Sequence, residues 1–444
     1  MADVGPSKSA ASEGGDAQRP GVGTAPEFGD VVALCSALIR HDSSVTGERE
    51  RRCAELVAAE LTDMGMAPLI LEAERGRSNV IARLSGTDPT TPALLLHIHL
   101  DVVPADPASW TVHPYSGEVH DGFVWGRGAV DMKNMAAMTL VALRRRIRNG
   151  WRPRRDLVLA FVADEERGGA QGAGWLVDEH RDLFEGCTEA IGEAGGFSHE
   201  YAPGRRAYFV QTGEKGIAWL HLVARGPGGH GALHHDRNAV TTLADAVHRI
   251  NAHNFGYKLT ASTTELLRSV AAWTTGDPFD SLGPLARLLE PALRNSYNVT
   301  GLAAGAQHNV VPPVARASID GRVVPGYEDD FFAELAELVG DAVTVEVVQR
   351  SRGVQTPFAG PMANAIRRAL QRADPGSVVV PSLLPISTDA KHFARLGMRC
   401  FGFTPMRTPH GFDFPGMFHG VDERVPLSAL QFGQHVMEFL LDEC

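Results

Sequence analysis

The chain of 444 residues exceeds the length at which one hydrophobic core keeps growing, so two domains are expected; 44% hydrophobic and 21% charged residues exclude wholesale disorder. A net charge of -11, from 42 Lys and Arg against 53 Asp and Glu, opposes a nucleic-acid partner, and no run approaches the ~18 apolar residues of a membrane span. Five widely spaced cysteines without a CxxC pair exclude a disulfide framework and a Cys-rich zinc site; with no secretory apolar segment, a cytoplasmic location is expected.

Residues 1–27, rich in Ala, Gly, Ser and Pro, are expected to form a disordered tail. From Phe28, apolar residues at helical spacing (Val31, Val32, Leu34, Leu38, Ile39, then Leu56, Val57, Leu61) predict two helices ahead of the first strands. Short apolar runs at Asn79–Leu84, Ala93–Ile98 and Leu157–Ala163, with a helix from about Asp131 to Arg148, predict an α/β fold: a mostly parallel, mixed sheet flanked by helices. After Gly213 come a strand (Ala218–Ala224), a glycine-rich turn, a helix (Asn238–Asn251) and a long, partly helical stretch to about Leu293. A strand (Arg316–Val324), a helix (Glu328–Leu338) and a strand (Ala342–Val348) follow, predicting an inserted smaller α/β domain over 213–352 with hinges at 213–216 and 351–353. The first domain, 28–212, resumes over 353–444 with a helix at Ala363–Ala373, a strand at Met398–Phe403 and a closing helix at Leu427–Leu441.

Acidic and imidazole side chains collect after the predicted buried strands. His99 and Asp101 follow one, Asp164, Glu165 and Glu166 a second, and Glu193 the short run Ala190-Ile191. In open α/β sheets ligands bind at the carboxyl ends of the strands, so these clusters are expected to converge. One acid after a strand is ordinarily a helix cap or a solvated loop residue; three such clusters are harder to explain that way. The period of two in His99-Leu100-Asp101 puts both side chains on one side, so that Asp101 accepts the second ring N–H of a metal-bound His99. His97, deeper in the strand, is expected to be a hydrogen-bonded core histidine. Adjacent Glu165 and Glu166 must diverge, which suits Glu166 as a metal ligand and Glu165 as the group that takes a proton from the attacking water. Asp131, behind the turn Gly126-Arg127-Gly128, is either an ordinary helix-start acid or a bridging ligand.

These residues resemble the M20 family of metallopeptidases, whose members include aminoacylases, deacylases and carboxypeptidases. The matching segments are His99 to Pro104, Gly126 to Asn134, Asp164-Glu165-Glu166, Glu193-Ala194-Gly195-Gly196, Gly229-His230, Asn309 to Pro312, Ser387 to Ala390 and His419 to Glu423, and Trp110 to Asn134 looks most like the carboxypeptidase S and N-acyl amino acid synthase/hydrolase branch. The resemblance implies two divalent metal ions, with zinc suited to the mixed donors and cobalt or manganese as alternatives. Asp131 would bridge them, His99 and Glu193 completing one site and Glu166 and His419 the other. Asp101 would orient His99, and Glu165 would be the general base. The resemblance also implies a cis peptide at Asp131-Met132 and a homodimer in which His230 reaches the partner's active site, with Asn309 and Arg322 engaging substrate. Lys391 departs from the Arg frequent there, and Phe255 to Ala306 is a long segment that bears on substrate access. The expected substrate is a small peptide or an N-acyl amino acid, with carboxypeptidase or dipeptidase activity favoured and N-acyl amino acid deacylation the alternative.

Two other readings are open. Gly226-Pro227-Gly228-Gly229-His230-Gly231 fits GxGxxG, but the region about 20 residues on, around Asn251-Ala252-His253-Asn254, has neither the strand nor the acid of a dinucleotide site. A catalytically silent relative acting as a binding module is the second, against which the full ligand set and Glu165 argue.

Overall fold

The computed structural model describes residues 29–47 and 49–444, so the tail expected over 1–27 lies outside the described residues. Helices Gly29–Ile39 and Arg51–Asp63 come first; Cys53, Ala54, Val57 and Leu61 recur at three- and four-residue spacing, which turns one face of the second helix inward.

A ten-stranded mixed sheet forms the larger body. Its centre is parallel: Leu157–Val162, Ala93–His99, Cys187–Gly192 and Arg399–Gly402 lie side by side in that order. Every residue of Ala93–His99 and Leu157–Val162 is buried, the signature of strands covered on both faces. Alternation sorts their side chains. Leu94, Leu96, Ile98, Leu159 and Phe161 pack with the helices Lys133–Arg148 and Leu427–Asp442, whereas Leu95, Val158, Ala160 and Val162 pack with Leu176, Val177 and Phe393. Because the central strands are parallel and adjacent, their carboxyl ends share one edge, which receives His99, the turn after Val162 and Glu193.

The strands Phe197–Ala202, Arg205–Glu214 and Val378–Leu384 also join this sheet, and the hydropathy pattern did not announce them. Arg205–Glu214 buries Gln211, Thr212 and Glu214, polar residues that erase the apolar signal of a central strand.

The second sheet has four strands in the order Ser296–Ala304, Val314–Val323, Gly216–Arg225, Val343–Arg350, and all its pairings are antiparallel. Helices Ala239–Ala252 and Glu328–Val339 cover one face, where Leu220, Leu222, Ala317 and Ile319 meet Leu243, Phe331 and Leu335. The other face leaves Trp219 exposed. Ser296–Ala304 lies between the partly helical stretch that ends near Leu293 and the strand predicted from Arg316, where no element is predicted; its Thr300, Gly301 and exposed Leu302 give an edge strand with little apolar periodicity.

Between these strands, residues 261–293 behave differently from the rest of the insertion. Leu266, Val270, Leu282, Leu285, Leu289 and Leu293 belong to the core of the larger sheet, and the Lys215 ammonium donates to the Pro291 carbonyl at 2.8 Å. This segment is therefore anchored on the larger body.

Candidate functional site

His99 is the last residue of its strand, and its ring is fixed from two sides. Nδ1 donates to the main-chain carbonyl of Asp101 at 3.0 Å, which leaves Nε2 pointing at Asp131 Oδ1, 3.0 Å away, and Glu193 Oε2, 3.4 Å away. The Asp101 carboxylate lies 3.6 Å from Nδ1 and does something else: its two oxygens accept the N–H groups of Glu165 and Glu166, each at 3.1 Å. The expected carboxylate–imidazole bond is thus corrected to a carbonyl–imidazole bond, because a main-chain oxygen is already in reach once the strand ends. Asp101 instead holds the turn that carries both glutamates.

That turn is a short 3-10 helix, Glu165–Arg167, entered through Asp164 in the left-handed region at φ 67°. The divergence of Glu165 and Glu166 comes from a tight turn rather than the extended backbone expected. Glu166 is 2.9 Å from His419 Nε2, which is 3.4 Å from Asp131 Oδ2. Asp131 consequently presents Oδ1 to one imidazole and Oδ2 to the other. It precedes the helix Lys133–Arg148 by two residues, outside the first turn, and Asp131-Met132 is a cis peptide as the resemblance implies.

Two three-residue groups result, His99/Asp131/Glu193 and Asp131/Glu166/His419, each with one donor atom per residue within 4.8 Å of the others. Electrostatics show what such a cluster requires. Burial and the neighbouring Asp131 push Glu166 up to about 7, while burial and Glu193 push Glu165 well above the usual carboxylate range. Hydrogen bonds to Asp131 and Glu166 raise His419 to about 10, and for His99 the charges of Glu193 and Asp131 overcome a burial that favours the neutral ring. Converging acids that repel one another and hold imidazoles protonated are a poor arrangement for protons alone. Imidazole and carboxylate donors in two groups sharing Asp131 fit divalent ions of borderline softness.

One residue of this site closes the matching segment His419 to Glu423 but was given no role by the sequence. Glu423 is fully buried and accepts N–H groups from Gly128 at 3.1 Å, Val130 at 2.8 Å and Asp131 at 3.3 Å, while Arg127 bridges its carboxylate (2.8 Å) and the His419 carbonyl (3.1 Å). The available signal was an acid four residues past His419 ahead of the apolar Val425.

The other expected residues are spread out. Arg322 lines the larger cavity beside the cluster, its guanidinium held bidentately by Asp320 at 2.8 and 3.0 Å. Lys391 lines the same cavity, donating to the Thr388 carbonyl at 2.8 Å. His230 and Asn309 are exposed on the smaller body, where His230 pairs with Val310, and neither lines the cavities at the cluster. His97 is buried against Phe393, but its Nε2 has no hydrogen-bond partner among the described residues, contrary to expectation; burial lowers its pKa to about 3 and keeps it neutral. The glycines of Gly226 to Gly231 do not open a helix: Gly229 and His230 themselves make a short antiparallel pairing with Val311 and Val310, and the next helix begins at Ala239, capped by Asn238. That removes the basis for a dinucleotide site.

A family model described as peptidase family M20/M25/M40 matches residues 95–443. The chain is 28% identical over 388 residues to aminoacylase-1 of Sus scrofa, covering 85% of this chain and 86% of that protein. It is 26% identical over 412 residues to an N-fatty-acyl-amino acid synthase/hydrolase of Xenopus tropicalis, covering 86% and 78%. Among solved structures, an M20 family metallo-carboxypeptidase from Sulfolobus solfataricus shares the fold, with a TM-score of 0.71 at 18% identity over 93% of this chain and 98% of that one. With a match spanning well over half its length, the chain belongs to peptidase family M20/M25/M40.

Proposed function

We propose that this chain hydrolyses an amide C–N bond in a small peptide or an N-acyl amino acid, using two divalent metal ions. His99, Asp131 and Glu193 would hold one, and Asp131, Glu166 and His419 the other. The observation that carries this reading is the division of Asp131, one oxygen toward each imidazole, with Glu165 lining the same space as the donors. The names of the aminoacylase and of the synthase/hydrolase support amide chemistry. Zinc suits the donor set best, with cobalt and manganese as alternatives.

When bound, the ions polarise the amide carbonyl and make water acidic near neutrality. Glu165 takes the proton of the attacking water and returns it to the leaving nitrogen. Its burial disfavours the charged carboxylate and so strengthens it as a base. Asp101 positions Glu165 through the main-chain N–H it binds, and Arg322 and Lys391 supply positive charge in the cavity where a substrate carboxylate would lie. Carboxypeptidase or dipeptidase action and N-acyl amino acid deacylation present the same amide to this site. A panel of dipeptides and N-acyl amino acids read as relative kcat/KM separates them.

The reading further holds that the protein works as a cytoplasmic homodimer in which His230 donates to the developing oxyanion of the partner's site. Its exposure on the smaller body, away from this chain's own cluster, supports that role, and five cysteines without disulfides suit a reducing compartment. Sedimentation of the full chain tests the dimer, and mixing His230→Ala with Glu165→Gln protein tests the shared site: restored turnover in the mixture is expected. For the base itself, Glu165→Gln should keep its metal content by mass spectrometry and lose roughly 10²- to 10⁴-fold in kcat. Full turnover in the metal-loaded variant would remove Glu165 from the mechanism.

A further inference from the structure

Two cavities of opposite character meet at the metal-ligand cluster, and Glu165, Glu166 and His419 line both. The larger, about 1330 Å3, opens between the two bodies and is lined by Arg167, Arg350, Arg352 and Lys391, with Arg322 paired to Asp320 and Arg395 to Asp178. The smaller, about 450 Å3, is lined beside the cluster by Leu288, Leu384, Pro415 and Phe418, and by Pro385 and Ile386, which it shares with the larger. The one Lys or Arg in its wall, Arg287, is tied to Asp413. An amide placed at the cluster can send one half into each cavity. The half that carries a carboxylate belongs among the cations, and the apolar chamber is left for the acyl half.

The chamber wall has an unusual origin. Leu288 sits on the short helix Ala286–Leu289, inside the inserted segment, yet its neighbours Leu282, Leu285, Leu289 and Leu293 are anchored in the core of the larger sheet. The wall is therefore fixed relative to the ligands His99, Glu166 and Glu193, while the cationic cleft lies between the two bodies. An apolar wall anchored in the same cavity as the ligand cluster limits the length and bulk of a chain that enters.

We propose that this chamber receives an apolar acyl chain and that Leu288 sets the length it accepts. The inference rests on the amide-hydrolase reading. A chamber of this size lies within the range of small-ligand pockets, and each methylene that enters it from water should improve affinity about fourfold.

The test uses the full chain loaded with zinc and a series of N-acyl-alanines from acetyl to octanoyl, in two readouts: kcat/KM, and calorimetric Kd in a Glu165→Gln background. In the parent, both should improve with each methylene until the chamber is full. Leu288→Trp should lose at least tenfold on the octanoyl member while staying within about threefold on the acetyl member. Leu288→Ala, which cannot overpack the wall, should move the best chain length upward. The same length profile in the parent and both variants would overturn the proposal, as would a Kd that does not change with length. If no member and no dipeptide is hydrolysed, the amide-hydrolase reading fails, and the calorimetric series still decides whether the chamber binds acyl chains through Leu288.

Discussion

Glu423 shows how a single buried carboxyl group can organise two proposed metal ligands, Asp131 and His419, that it never touches through their side chains. Its carboxylate gathers three consecutive-turn N–H groups around Asp131, and through Arg127 it reaches the His419 carbonyl. Replacing it with Gln keeps the shape but turns an amide NH2 toward N–H donors, and buried donors left unpaired cost about 1–3 kcal/mol each. Glu423→Gln should therefore lower the unfolding free energy by about that amount and weaken metal retention, read by denaturant titration and by metal content after dialysis. Normal stability with full metal content would show that the turn holds itself. Asp101 differs, because its oxygens accept the N–H groups of Glu165 and Glu166 while the His99 ring is served by a carbonyl. Asp101→Ala should leave His99 coordinating yet reduce kcat through a displaced Glu165, with KM changed less. A loss confined to metal affinity would favour the imidazole-orienting role.

Among elements, the join between the helix Pro361–Ala373 and the strand Arg205–Glu214 has a clear pH signature. Asp374, at the helix end, accepts from Arg206 Nη2 at 2.7 Å and from the Tyr208 hydroxyl at 2.8 Å, and the Arg206 hydrogen bond holds its carboxyl below its ordinary 3.8. A depressed carboxylate pKa contributes stability that is full above the unfolded value and is lost as pH falls through the folded one. Asp374→Asn should cost about 2 kcal/mol at neutral pH, with the gap to the parent closing below about pH 3.8 in paired melts. A gap that persists in acid would mean the side chain acts by packing alone. The helix Ala239–Ala252 is an independent case: Asn238 and Thr241 form a reciprocal capping box, so Asn238→Ala should cost about 1 kcal/mol without altering turnover.

For the whole molecule, the acid cluster predicts that metal and fold are linked. Ions that bind only the folded state stabilise it by about 4 kcal/mol at a thousandfold excess over Kd. Chelation should lower Tm and added zinc should restore it, and a Tm indifferent to chelator would argue against resident ions. The chain by itself determined the central parallel strands, since continuous apolar runs at Ala93–Ile98 and Leu157–Ala163 have nowhere to go but between two helical layers. It also placed His99 and Glu166 after those strands and Glu193 after the short run Ala190-Ile191. Motif resemblance supplied Asp131 and His419, which lie in turns where no periodicity speaks. Only the tertiary structure decided that Asp101 serves the glutamate turn, that Glu423 ties Asp131 to His419, and that residues 261–293 are anchored on the larger body. Periodicity reports which face of an element is buried; which distant backbone N–H or apolar wall meets that face depends on packing between segments hundreds of residues apart, and no local pattern carries it.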